Sequence, residues 1–177
     1  EGKENLYNAD KVHFTDVGYL YIAECMYEKI TGKKAPIEEK VKIPHTQQSG
    51  ETNYFTFAEG KWEAGDAQHT WSKKVDPAHP EATYYEVKFT GHKIDIYSGK
   101  NRMMGKVKYL IDGEEKAEGD LYNATNINST FITTISDLEE KEHTLKAVAT
   151  GERNASGTGS DILIDAAEVY VYTYREP

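Results

Sequence analysis

Cysteine is all but missing from this chain: Cys25 stands alone among 177 residues, so no internal disulfide can brace the fold. A lone cysteine inside a helical pattern reads as a small buried apolar residue. No apolar run approaches the ~20 residues that a membrane-spanning helix needs. Basic residues are the minority, with 21 Lys and Arg against 30 Asp and Glu. The resulting net charge of -9 disfavours a nucleic-acid partner, since phosphate binding wants a basic surface. The six histidines, at 13, 45, 69, 79, 92 and 143, show no zinc-type spacing. No short-period repeat is visible, which argues against a solenoid.

What is abundant is tyrosine, 13 residues against 5 Phe and 2 Trp. Many tyrosines suit either strand propensity or a surface that contacts sugars. The most informative stretch is Tyr84 to Gly113. There Tyr85, Val87 and Phe89 alternate with polar neighbours, as do Ile94 and Ile96, and then Val107, Tyr109 and Ile111. Period two is the mark of strands with one face in a core. Thr90-Gly91, Ser98-Gly99 through Gly105, and Asp112-Gly113 supply the breaks. Three consecutive strands of one antiparallel sheet are expected here.

Residues 1 to 34 differ from the rest. Thr15 is a good N-cap, Asp16 suits the helix dipole, and Val17, Leu20, Ala23, Tyr27 and Ile30 recur at helical spacing. Gly32 stands at a plausible end of the helix, and Gly18 weakens its interior. One amphipathic helix cannot bury its own stripe, so it must pack on something. Residues 35 to 53 hold two prolines, mixed charges and a polar tract, and read as a linker. From residue 54 to 177 the chain is strand and turn, apart from a polar excursion at 63 to 82. About eight short strands without an intervening helix predict a mainly β, antiparallel sandwich.

Two resemblances sharpen this reading. Asp10-Lys11-Val12-His13 and the helix after it resemble the last catalytic block of SGNH (GDSL-type) hydrolases. That implies His13 as the general base and Asp10 as its orienting partner, in a protein that hydrolyses esters. No Gly-Asp-Ser nucleophile block exists in this chain, and the blocks for the oxyanion hole are missing too. The chain alone is therefore expected to be non-catalytic, the C-terminal part of a longer esterase cut inside its catalytic domain. Residues 54 to 173 resemble the galactose-binding-like, jelly-roll sandwiches appended to secreted bacterial carbohydrate-active enzymes. The likeness rests on Gly60-Lys61-Trp62, Thr90-Gly91, Gly105 to Gly113, Asp120-Leu121-Tyr122, Glu142 to Lys146 and Ile162 to Val171.

The resemblance implies an extracellular accessory module whose partners are a poly- or oligosaccharide and an upstream catalytic domain. A structural buttress for an esterase and a protein-interaction module are the alternatives. Sugar sites need an aromatic face and a few polar side chains. Trp71, His69 and Arg102 on loops, with Tyr97 and Tyr122 at strand ends, are the candidates, while Trp62 reads as core. No cofactor is expected. Related sandwiches often carry a structural calcium, for which Asp165 and Glu168 are the carboxylates to watch, although a solvated strand face explains them equally. Sequons at Asn123, Asn128 and Asn154 carry little weight in a bacterial protein.

Overall fold

A computed structural model describes residues 6–9, 13–45, 55–64, 70–72 and 74–174. The chain divides into two units, residues 1–39 with 172–177, and residues 40–171.

The smaller unit is organised by α1 (Asp16–Thr31). Thr15 caps it as its spacing predicts, accepting from the Gly18 N–H at 3.1 Å, and Gly32 ends it with φ 69°. The segment before the helix folds back on its first turn. Thr15 N donates to the Leu6 carbonyl at 2.9 Å, Asn8 N donates to that of His13 at 2.8 Å, and the Tyr7 and Phe14 rings lie 4.8 Å apart. This gives Gly18 a purpose beyond weakening the helix: it is buried, and a Cβ there would strike the Leu6 carbonyl. Cys25 is exposed rather than buried, as are Val17, Leu20, Met26 and Ile30. Most of the apolar positions of α1 lie in solvent, with Ile22 and Tyr27 half-buried.

Residues 35–53 are not featureless. Ile37, Val41 and Ile43 alternate with charged neighbours along β1 (Ile37–Pro44), a pattern masked by the flanking prolines and lysines. Ile43 is buried in the core of the larger unit.

In that unit β2 (Phe55–Phe57), β5 (Tyr84–Gly91), β10 (Lys141–Ala149), β7 (Lys106–Ile111) and β8 (Glu114–Asp120) form a five-stranded sheet in that order. The order in the second sheet is β1, β12 (Ala166–Thr173), β6 (Lys93–Lys100) and β9 (Ile127–Ile135). The excursion at 63 to 82 also contains strands: β3 (Trp62–Ala64) and β4 (Thr70–Ser72) join β11 (Leu163–Ile164) in a small third sheet. The strand pairings of all three sheets described at residue level are antiparallel, and the fold is a mainly β sandwich.

The alternation seen between Tyr84 and Gly113 is real, but its strands are not neighbours. β5 and β7 flank β10 in one sheet while β6 crosses to the other. Gly91 makes the crossing feasible, because a Cβ there would collide with the Tyr170 carbonyl. The inner faces meet with Val87 and Ile111 both opposite Leu145 on one sheet, and Val169 and Ile135 both opposite Ile94 on the other. Each of these side chains is nearly or fully removed from water, and each contributes roughly 1.5–3 kcal/mol. Among the described residues no helix is long and apolar enough to cross a membrane.

Candidate functional site

Trp71 leads to the site. Along β4, Thr70 and Ser72 point into the core, so Trp71 faces the other way and stays half-buried. Register sets its neighbours: Glu63 of β3 on one side and Leu163 of β11 on the other, a cross-strand row that makes one wall of a depression of about 580 Å³. The opposite wall comes from the end of β6 and the start of β9, where Lys100 pairs with Ile127 between Asn126 and Asn128. The turn after β6 adds Asn101, exposed Met103 and buried Met104. Asn101 shapes this turn by accepting from the Met103 N–H at 2.8 Å.

A bulge lets the walls approach. The register of β6 against β9 shifts between Ser98 and Lys100, where Gly99 alone faces both Asn128 and Ser129, so β9 carries the extra residue. A Cβ on Gly99 would lie 2.9 Å from the Ile127 carbonyl oxygen, so only glycine fits.

A second depression of about 550 Å³ adjoins the first and shares Lys74, Met103 and Asp161 with it; Pro77, Arg153 and Thr158 lie along its far part. Together they form a groove with an aromatic ring, thioethers, asparagines and cations. Asp161 belongs to the scaffold, since its Oδ1 accepts from Val75 N at 2.9 Å and from the Ser72 hydroxyl at 3.4 Å. Ser72 is thus committed to the fold, its oxygen also accepting from Ile162 N at 3.0 Å. Among the described residues of the groove, apart from the scaffold pair Ser72 and Asp161, none pairs a hydroxyl or thiol with a general base. The arrangement can stack a ring and bond hydroxyls, which is recognition rather than bond cleavage.

Of the expected residues that the structure describes, Trp71 alone lines this groove. Arg102 stands beside it but clamps a loop, its Nε donating to the Ala124 carbonyl at 2.8 Å. Tyr122 is half-buried, bridged through its backbone to Asn101, and lines neither depression. Tyr97 sits on the outward face of β6, where its hydroxyl donates to Glu168 at 2.9 Å and its ring meets Phe131 edge-on. That bond pushes the Tyr97 phenol up. His69 and Asp10 lie outside the described residues, and His13 is exposed at the foot of α1.

Asp165 and Glu168 do not converge on a common ion. The Asp165 carboxylate accepts from the Ser129 hydroxyl, whereas Glu168 accepts from Lys40 Nζ at 2.9 Å. The Lys40 ammonium holds the Glu168 carboxyl below its usual range. Among the described residues no three His, Cys, Asp or Glu side chains come together as a metal site. Sequence reasoning missed Lys74, Lys100, Asn101, Asn126 and Asn128. The asparagine-rich run from Asn123 to Asn128 was the available signal.

No family model and no curated protein matches this sequence. Among solved structures, the chain is similar to a two-domain esterase active on acetylated mannans, co-crystallised with mannopentaose. The TM-score is 0.54 at 12% identity, over 96% of this chain and 50% of that one, so the chain spans half the length of that esterase. A family two carbohydrate esterase from Clostridium thermocellum in complex with cellohexaose aligns at a TM-score of 0.44 and 13% identity, over 70% of this chain and 34% of that one. The carbohydrate-binding module CBM36 in complex with calcium and xylotriose aligns at 0.36 and 15%, over 75% of this chain and 98% of the module. At 12% identity, what the chain shares with the mannan-active esterase is the fold.

Proposed function

We propose that the sandwich is a non-catalytic, carbohydrate-binding accessory module of an extracellular carbohydrate esterase of bacterial origin. The observation that carries this reading is the groove: the Trp71 indole stands in a cleft with Asn101, Asn126 and Asn128, a ring-stacking surface beside amide donors and acceptors. The fold likeness to half of a two-domain esterase active on acetylated mannans supports the same assignment. Binding to a panel of mannan, xylan and cellulose tests it by pull-down and affinity electrophoresis. Trp71→Ala should weaken the retained ligand about tenfold or more, the ~1.4 kcal/mol or greater loss expected when an aromatic anchor is truncated. A folded protein that binds no saccharide would overturn the reading.

The exposed apolar residues of α1 favour a companion to this reading. A helix carrying Val17, Leu20, Met26 and Ile30 in water forfeits roughly 1.5–3 kcal/mol for each large side chain that a partner could bury. We assign α1 to the end of an SGNH-type α/β hydrolase domain completed by upstream sequence, with Asp10 and His13 serving a serine from that sequence. In the complete protein, amides of α1 should exchange far more slowly than in this chain. Unchanged exchange would leave α1 without that role.

A further inference from the structure

Charge in the groove is not balanced by the fold. Elsewhere on the sandwich Lys40, Lys106, Lys108, Lys116, Lys141 and Lys146 each meet a glutamate within 3.3 Å. Among the described residues, Lys61 and Lys88 outside the groove are unpaired as well, but the groove gathers three such cations. Lys100 lines the first depression, Arg153 the second, and Lys74 the strip common to both. None of the three has an ion pair or a side-chain hydrogen bond among the described residues.

The acids nearby are tied into the fold, although hydrogen bonds from neutral groups leave a carboxylate its charge. Asp161 is taken up by Val75 N and Ser72, Glu63 is engaged, and Glu152 pairs with Lys106. Counted over the lining residues, the first depression sets Lys74 and Lys100 against Glu63 and Asp161, and the second sets Lys74 and Arg153 against Asp161 alone, so the groove as a whole carries one more cation than carboxylate on a chain of net charge -9. Lys100 is half-buried and has no ion pair among the described residues, so an anionic ligand would meet it without displacing a counter-charge.

Resting on the sugar-binding reading above, we propose that the groove selects saccharides that carry carboxylates, namely uronate-bearing glycans. Trp71 stacks on a ring in the first depression. Lys74 sits where two consecutive subsites meet, and Lys100 and Arg153 flank it, so a carboxylate in either depression finds a cation. Overall negative charge keeps the rest of the surface from attracting polyanions, which leaves discrimination to the groove.

The test compares a glucuronate-bearing xylan or polygalacturonate with the same polymer after carboxyl reduction, by affinity electrophoresis and by calorimetry on short oligosaccharides. The acidic form should bind about tenfold more tightly, and added salt should erode that advantage. Lys74→Met, Lys100→Met and Arg153→Met should each reduce the ratio of acidic to reduced polymer affinity. Lys88→Met, an exposed lysine on β5 away from the groove, should change nothing. Equal binding of acidic and reduced polymers, or a preference that survives loss of all three cations, overturns the proposal while the sugar-binding reading stands. If no glycan binds the folded protein, both fall.

Discussion

Two tyrosines in the core are expected to be worth more as phenylalanines. Tyr85 on β5 and Tyr109 on β7 both lie opposite Ala147 of β10, one on each side. Both are fully buried, at 0% exposure; neither hydroxyl meets hydrogen-bond geometry with any described residue, although the two lie close enough to influence each other. Burial drives both phenols well above their ordinary range. An unsatisfied buried hydroxyl costs ~1–3 kcal/mol of desolvation, which Phe removes without changing ring packing. Against this stands a void of roughly 10 Å³, which at ~24 cal/mol per Å³ costs about 0.2 kcal/mol. Tyr85→Phe and Tyr109→Phe should therefore each stabilise the sandwich by about 1 kcal/mol, raising Tm by about 3 °C. Urea unfolding followed by tryptophan fluorescence reads the change as a higher midpoint at constant slope. Because the two hydroxyls lie close together, the double variant is the informative one: a gain near the sum of the singles means that they act independently. If each single variant instead loses about 1 kcal/mol and the pair is nearly neutral, the hydroxyls bond to each other or share a buried water, and the reasoning is refuted.

Other predictions follow from the same contacts. Gly99→Ala forces a Cβ onto the Ile127 carbonyl and should cost about 1–3 kcal/mol, together with glycan affinity; a neutral result in thermal melts would mean that the bulge can relax. The Asp112 carboxyl is held below its ordinary value of 3.8 by the Thr144 N–H and the His143 ring. A depressed carboxyl stabilises the fold above its unfolded value and loses that contribution as pH falls through the folded one. Asp112→Asn keeps the turn residue at φ 51° but should flatten the stability profile below about pH 4, and an unchanged acid limb would contradict this. A chain beginning at residue 36 keeps β1 and should melt cooperatively. One beginning at 54 loses Ile43 from the core and should be weaker by roughly 1.5–3 kcal/mol, so equal melting temperatures would show that β1 is dispensable.

The residues by themselves determined the local elements. Period-two alternation from Tyr84 to Ile111 and from His143 to Ala149 specified the strands and their buried faces, because a side chain's face follows from its parity along a strand. The Thr15 cap and the Gly32 terminator set the ends of α1, since both act within one turn. Only the tertiary structure decided which strands pair. Parity carries no information about the neighbour, so β5, β6 and β7 could read as one sheet while in fact dividing between two. Three-residue strands such as β3 and β4 leave too short a pattern to be seen, and their pairing with β11 is what turns Trp71 outward. The groove has the same origin. Trp71, Lys100, Asn128 and Arg153 come from distant parts of the chain, and no spacing links them. What joins them is the register of β4 and β11, the bulge at Gly99 and the turn at Asn101, all contacts that form only when the sheets close on each other.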